Sequence, residues 1–167
     1  MRNMILNSKK GNVFLDTLTV LISLVVIGLI IFIVYSAYKP IAEQMNNSTD
    51  LNEQAKNVTN DLNDRYPKVW DSLFVFIFVL LWITVLVASF FIESNPAFFI
   101  VSIIILAIVL ILAIFLGNSW EMIMQDSTLS TISTQFPMTN FILSHIVLFT
   151  LAIGISIALV LYAKGQG

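Results

Sequence analysis

Cysteine is absent from this chain and histidine occurs once among its 167 residues. The absence of cysteine excludes disulfides, thiolate metal ligands and a thiol nucleophile, and it leaves the redox compartment undefined. Because His145 is the single histidine, one chain cannot build a metal site from several imidazoles. We therefore expect neither a metal nor another cofactor.

Charged residues are also scarce, at 11 % of the chain, whereas soluble domains carry about 25 %. Hydrophobic residues make up 58 %, and the mean hydropathy is +0.93. This composition predicts an integral membrane protein. Eight basic residues stand against ten acidic ones, so no basic surplus indicates sequence-specific binding to nucleic acid.

Four long apolar segments account for this composition, at residues 17–38, 72–92, 97–117 and 141–163. Each can cross a hydrocarbon core of about 30 Å at about 1.5 Å per residue. The second and third segments are joined by the short turn 93–96, which forces them into an antiparallel hairpin. The sequence therefore predicts an all-α integral membrane four-helix bundle, with residues 1–167 forming a single membrane domain.

Proline, glycine and asparagine indicate where several helices begin or end. We expect Asn95 to cap the third span, with Pro96 at its first helical position. Gly117, followed by an asparagine, is expected to end that span. Pro137 should end a short surface helix in the polar segment 118–139. Whether the first helix continues through Pro40 is left open.

The main extramembrane segment, residues 40–71, contains an amphipathic pattern. Its apolar residues recur at spacings of four, three, four and four, as on one face of a helix; they are Leu51, Ala55, Val58, Leu62 and Tyr66. Asp50 and Glu53 fit a capping-box start, and Pro67 is expected to end the helix. The pattern predicts an amphipathic extramembrane helix between spans 1 and 2. This helix either packs on its own loops or contacts a partner protein.

Several features bear on processing and modification. Residues 9–16 resemble the leader junction of type IV prepilins, because Asp16 stands five positions after Gly11. A pilin has one span and a globular head, whereas this chain has three further spans, so prepilin processing is disfavoured. A signal-peptide cleavage pattern occurs near residue 36, although the apolar segment is long for a signal peptide. Three asparagines begin Asn-x-Ser/Thr patterns, which suggest glycosylation only weakly; they are Asn46, Asn47 and Asn57.

The charges flanking the spans give little information on orientation. Four spans place both termini on the same side of the membrane. Each side carries four basic residues, so the positive-inside rule does not decide by number; the termini have Arg2, Lys9, Lys10 and Lys164, and the other side has Lys39, Lys56, Arg65 and Lys68. The basic cluster before the first span favours termini on the inside.

Few side chains in the spans could support chemistry. His145 is the one polar intramembrane candidate, and we interpret it as hydrogen-bonding a neighbouring helix or the interface rather than moving protons. Small residues in the fourth span allow close helix packing, within the chain or between copies; they are Ala152, Gly154, Ser156 and Ala158. No hydrolase, P-loop or dinucleotide signature is present, so we nominate no catalytic residue and expect no enzyme.

The layout resembles that of the membrane structural proteins of tailless lipid-containing viruses of the corticovirus or tectivirus kind. The similarity lies in a small, cysteine-free, four-span chain, in residues 136–141, in His145 and in the terminal residues 161–164. This resemblance implies many copies in a virion internal membrane, with extramembrane segments contacting capsid proteins and other copies of the chain. A host cell membrane is the other location considered. The alternative function is a holin-like pore or small-solute permeation protein that acts as a homo-oligomer.

Overall fold

A computed structural model describes residues 13–91 and 96–165, and it describes the side chains of residues 17–91 and 103–164. Within these ranges the regular structure is entirely helical. The helices are α1 (Val13–Asn47), α2 (Glu53–Phe90), α3 (Pro96–Ile123), α4 (Ser127–Ser133), α5 (Pro137–Ser144) and α6 (Ile146–Gly165). Four of them, α1, α2, α3 and α6, are long and apolar enough to cross a membrane. The predicted all-α membrane bundle is thus confirmed.

Helix α1 continues through Pro40 and ends only at Asn47. Proline lacks an N–H and its ring crowds the carbonyl four residues earlier, so an interior proline costs about 3 kcal/mol or more. Pro40 itself is exposed, but neighbouring side chains such as Ala42 are buried in helix contacts. Packing on either side of Pro40 therefore keeps the helix continuous.

The predicted end of the amphipathic helix at Pro67 is wrong. Pro67 lies inside α2, and the amphipathic segment and the second span form one helix of 38 residues. Pro67 is buried, and its neighbours Tyr66 and Trp70 pack in an aromatic cluster. These tertiary contacts offset the local cost of the proline.

The predicted start of that helix needs a smaller correction. Asn52 is the N-cap, and its side-chain oxygen accepts a hydrogen bond from the Ala55 N–H at 2.8 Å. Glu53 is the first helical residue and so does not occupy the third position that a capping box requires. Asp50 lies outside the helix.

The start of α3 at Pro96 is confirmed, whereas its predicted end at Gly117 is wrong, because the helix continues to Ile123. Residues 93–95 of the turn, including the predicted cap Asn95, lie outside the described residues. Gly117 is buried, and a Cβ built there would lie 3.4 Å from an Ile146 side-chain carbon. The glycine thus permits a close contact with α6, and the fully buried Trp120 holds the next turn in place.

The fourth span was predicted as one helix over 141–163, but it consists of α5 and α6, separated at His145. The His145 backbone leaves helical geometry at φ −111° and ψ 25°. Its ring Nδ1 lies 2.9 Å from the Phe141 carbonyl oxygen, where it competes with backbone donors for that acceptor. Helix α4 ends at Ser133, before Pro137 as predicted, and Pro137 then begins α5.

The buried core lies where α1, α2, α3, α5 and α6 meet. Its largest fully buried side chains are aromatic or aliphatic, and they include Phe32, Tyr35, Phe74, Trp120 and Phe136. Gly28 of α1 abuts the Leu143 side chain of α5, a contact that a Cβ would obstruct. At the other end of the bundle, the Lys164 ammonium donates to the Phe90 carbonyl at 2.7 Å. Small residues at close helix contacts are typical of membrane bundles.

Candidate docking arm

Helices α1 and α2 pair as an antiparallel hairpin whose tip extends beyond an aromatic cluster. We call residues 39–65 the arm; it contains the end of α1, the connection 48–52 and the start of α2. Asn47, the last residue of α1, is nine positions after Tyr38 and therefore lies roughly 14 Å above it at about 1.5 Å per residue. Near the tip, the Asn46 side-chain amide donates to Asn60 of α2.

The aromatic layer at the base of the arm consists of Tyr35, Tyr38, Tyr66, Trp70 and Phe136. The Tyr66 ring stacks on Tyr35 at 5.4 Å and on Tyr38 at 5.8 Å between centroids. Trp70 lies 5.7 Å from Tyr66, and Phe136 meets Tyr35 edge-on at 5.4 Å. Tyrosine and tryptophan are enriched at membrane–water interfaces. Burial in this layer also raises the pKa of Tyr66 above its ordinary 10.0.

A polar contact within this layer joins three parts of the chain. The Tyr35 hydroxyl lies 2.7 Å from the Gln135 side-chain oxygen and 3.3 Å from that of Asn63. A tyrosine hydroxyl carries one proton, so the shorter contact is the one to which it donates. Tyr35 therefore connects α1 to the α4–α5 link directly and lies beside α2.

Asp71 joins α2 to the start of α5. Its side chain is buried, with 7 % exposure, and it accepts three hydrogen bonds. The donors are the Met138 N–H at 3.1 Å, the Thr139 N–H at 2.7 Å and the Thr139 hydroxyl at 2.8 Å. Phe136, at the N-cap position of α5, supplies no side-chain bond. Asp71 thus caps α5 from another helix, where a carboxylate is favoured by the helix dipole.

Asp71 was missed by the sequence analysis, which placed it only as the last residue of an extramembrane segment. Two signals point to it in retrospect. It is an acidic residue at the very border of a span, where ionisable groups usually have a partner. The helix that begins at Pro137 also has no capping side chain of its own at the preceding residue.

A second polar contact fixes α3 against α5. The Trp120 indole N–H donates to the Asn140 side-chain oxygen at 3.1 Å, and the Trp120 ring meets Phe32 edge-on at 5.2 Å. The Ser144 hydroxyl lies 3.4 Å from the same Asn140 oxygen. Together with Asp71, this contact connects the base of the arm to three other helices.

The five predicted partner-contact residues do not share one environment. Leu51, Ala55 and Tyr66 are half-buried, whereas Val58 and Leu62 are 60 % and 54 % exposed. The face that α2 turns towards α1 contains buried Thr59 and half-buried Asn63. Val58 precedes Thr59 by one position and Leu62 likewise precedes Asn63, so the two exposed side chains are rotated by about 100° about the helix axis from the contact with α1.

The same relation occurs in α1, where Ile41 and Met45 are exposed. They precede buried Ala42 and half-buried Asn46 by one position each. In each helix the exposed residue stands one position before a residue of the contact. Because the two helices are antiparallel, this equal step about each helix axis places the exposed residues of both helices on the same side of the pair. Four apolar side chains therefore form one side of the arm, which we call the apolar flank: Ile41, Met45, Val58 and Leu62.

Arg65 borders the apolar flank, because it follows Leu62 by three positions and Val58 by seven on the same face of α2. Asp61 and Arg65 form an ion pair at 2.6 Å along α2, with both side chains more than half exposed. Exposed pairs of this kind contribute about 0–1 kcal/mol, so this pair matters less for stability than for neutralising charge near the flank. Glu43, Asp64 and Lys68 are exposed elsewhere on the two helices.

The remaining candidates lie in the fourth span. His145 is exposed at the α5–α6 break, and its ring lies 4.5 Å from that of Phe141. Gly154 is buried against Leu106 of α3, so this small residue serves a contact within the chain. The Ser156 hydroxyl donates to the Ala152 carbonyl at 2.7 Å, and both residues are half-buried, as is Ala158.

Across the residues that the structure describes, no cluster of three or more histidine, cysteine, aspartate or glutamate side chains could hold a metal ion. No family model matches this chain, and neither a curated protein nor a solved structure is significantly similar to it.

Proposed function

We propose that this protein is a non-catalytic structural or accessory protein of a membrane, and that its arm contacts partner proteins. The observation that carries the proposal is the apolar flank on an arm outside the apolar spans. Lipid tails cover exposed apolar side chains within a bilayer, but they cannot cover Val58 and Leu62 among charged neighbours. Contiguous apolar side chains exposed to water are typical of interaction sites.

The attachment of the arm supports the same proposal. Both helices of the arm continue into spans without a break, at Pro40 and at Pro67. The aromatic layer and Asp71 tie its base to α4 and α5. A continuous helix connection holds the flank at a constant height and direction relative to the membrane, as a structural connector requires.

The virion internal membrane is the location that we propose, with the termini inside and the arm directed towards a capsid. In such a particle, a membrane protein must reach a protein shell through segments outside the bilayer. An arm that rises roughly 14 Å above its aromatic layer provides that reach. Many identical copies would present the same flank at the same height to a regular shell.

Charge substitutions on the flank test the proposal. The variant Val58→Glu/Leu62→Glu places two carboxylates on the flank, and Gln44→Glu/Asn57→Glu places two at exposed polar positions outside it. Disrupting central interface residues costs about 2 kcal/mol or more, which corresponds to a loss in affinity of more than tenfold. Mass spectrometry of purified particles or native membranes then measures which proteins co-purify with each variant.

We expect the flank variant to lose its partner proteins while inserting into the membrane as the parent chain does. The control variant should retain them. Normal co-purification of the flank variant would show that the flank is not the docking surface.

The pore-forming alternative stays a prediction without a specific observation in its favour. The hydroxyls of Ser23, Thr84, Thr150 and Ser156 each donate to the carbonyl four residues earlier in their own helix. Such bonds satisfy the hydroxyl proton locally. Leak of dye from vesicles that contain the pure protein would support a pore, and bulky replacements at Ser156 should then reduce the leak.

A further inference from the structure

Helix α2 carries a regular apolar repeat on its exposed side, along most of its length. From Leu62 to Phe90 the spacings alternate strictly between four and three residues, as in the a and d positions of a coiled coil. We call these residues the α2 seam; they are Leu62, Tyr66, Val69, Leu73, Phe76, Leu80, Ile83, Val87 and Phe90. Tyr66 is half-buried and the others are exposed.

The seam is informative mainly where α2 leaves the apolar span. Between residues 72 and 90 almost every residue is apolar, so any exposed side would be apolar there. Between residues 61 and 71, however, charged residues occupy other positions and none falls on the seam; they are Asp61, Asp64, Arg65, Lys68 and Asp71. Depletion of charge from a contact strip is a property of interface cores.

The continuity of the seam limits what can cover it. A lipid could cover its membrane part, and a water-soluble protein could cover Leu62 and Val69. An occupant that covers both parts in one register is a membrane helix that rises above the bilayer by as much as α2 does.

We propose that the occupant is the α2 helix of a second copy of this chain. Copies inserted in the same orientation have parallel α2 helices at the same height. A two-fold axis along the membrane normal then brings each exposed seam residue opposite itself, as symmetric dimers require. Tyr66 lies at the margin of the pair, because its ring stacks on Tyr35 and Tyr38 of α1. A seven-residue repeat sustained over about four heptads favours left-handed pairing of two parallel helices.

The electrostatics of this pairing are favourable for identical copies. Like charges facing each other would oppose self-association, and the seam contains no charged residue. Arg65 lies next to the seam, but Asp61 of the same helix pairs with it at 2.6 Å. The carboxylate of Asp71 is turned the other way, into its contact with Thr139.

The size of the seam predicts a reversible pair. The seam is roughly 42 Å long at about 1.5 Å per residue and about 10 Å wide, which gives about 400 Å² per copy. A stable interface of standard size buries about 800 Å² per partner. The pair therefore forms at high density of protein in the membrane, and this part of the inference rests on the proposed many-copy structural function.

The absence of cysteine makes a direct test possible, because every introduced thiol is the only one in the chain. Seam variants are Leu62→Cys, Val69→Cys and Ile83→Cys. Their matched controls lie off the seam on the same helix and are also exposed: Asp64→Cys, Lys68→Cys and Thr84→Cys. Each purified variant is placed alone in lipid vesicles and oxidised, and the disulfide-linked dimer is measured on a non-reducing gel.

We expect several-fold more dimer at the seam positions than at their controls, because facing seam residues come within the reach of a disulfide. Dilution with lipid should reduce the dimer at seam positions. Equal cross-linking at seam and control positions would indicate random collision and overturn the proposal, as would no dimer at the seam at high density.

The vesicles contain no other protein, so cross-linking is measured without the partners of the co-purification experiment. Because Leu62 belongs to both the apolar flank and the α2 seam, Val69→Cys and Ile83→Cys decide the comparison. Seam dimers without any effect of the flank variant on partners would support pairing and contradict the docking function. Loss of partner proteins from the flank variant, with no seam dimers in the vesicles, would support the docking function and overturn pairing through the α2 seam.

Discussion

Removal of the Asp71 carboxylate is the perturbation for which the structure allows the clearest expectation. Asp71 accepts bonds from two backbone N–H groups and one hydroxyl of α5, at 2.7–3.1 Å. In Asp71→Ala these donors lose their acceptor, and Thr139 is fully buried. Hydrogen bonds to charged groups are each worth about 1.5–3 kcal/mol, but they are not additive, so we expect a total loss of about 3 kcal/mol.

A graded series separates the three bonds. In Asp71→Asn the amide oxygen can replace the carboxylate oxygen that serves Thr139, while its NH₂ group faces the Met138 N–H. We expect a loss of about 1–2 kcal/mol for this variant. Thr139→Val removes only the hydroxyl bond and should cost about 1 kcal/mol. Ser72→Ala, at an exposed neighbouring position, is the control and should be nearly neutral.

Reversible unfolding in detergent micelles, followed by the near-ultraviolet signal of the tryptophans, measures these differences. A loss of about 3 kcal/mol corresponds to a change of more than a hundredfold in the equilibrium constant for unfolding. The double variant Asp71→Ala/Thr139→Val should be less destabilised than the sum of its parts, because both changes break the same bond. The reasoning is refuted if Asp71→Ala is no less stable than Ser72→Ala.

Three further expectations concern packing and polar contacts. Gly154→Ala should cost about 1–3 kcal/mol, because the added methyl group meets the Leu106 side chain, and a lower midpoint of thermal unfolding would show it. Tyr35→Phe removes the bond to Gln135 and should cost about 1 kcal/mol. Tyr38→Phe removes a buried hydroxyl that has no hydrogen-bond partner among the described residues, so it should not destabilise; thermal unfolding of the two variants side by side decides this. The raised pKa of Tyr66 shows that the folded state favours the neutral phenol. The neutral phenol therefore adds to the free energy of unfolding below about pH 10, and this addition is lost as the pH rises through the raised pKa. Between about pH 8 and about pH 11, the free energy of unfolding of Tyr66→Phe should fall less than that of the parent chain.

Several features of the fold could be predicted from the sequence because they depend on neighbouring residues alone. Apolar segments must satisfy their own backbone hydrogen bonds in a bilayer, which restricts them to helices. Pro96 begins α3 because its missing N–H costs nothing at a first helical position. Helix α4 likewise ends before Pro137, as predicted.

Predictions of helix ends were wrong where a distant contact outweighs a local preference. Pro67 and Gly117 both have low helical propensity, yet each lies inside a helix. The Pro67 segment packs in the aromatic layer, and Gly117 allows α6 to come close. Which partner lies opposite a residue depends on the arrangement of the whole bundle and is not encoded in the local spacing.

The membrane class, the four apolar segments, the exclusion of thiol chemistry and the amphipathic pattern between the first two spans all follow from residue types and their spacing. Which side of α2 is buried depends on the helices that pack against it. The contact with α1 uses Thr59 and Asn63 and leaves Val58 and Leu62 exposed, and the Tyr35–Tyr66 stacking belongs to the same helix contact. The rotation of α2 also directs Asp71 towards α5, where it caps a helix that begins far along the chain, at Pro137. Hydropathy is a property of each residue, whereas the direction of a face is a property of the packed helices.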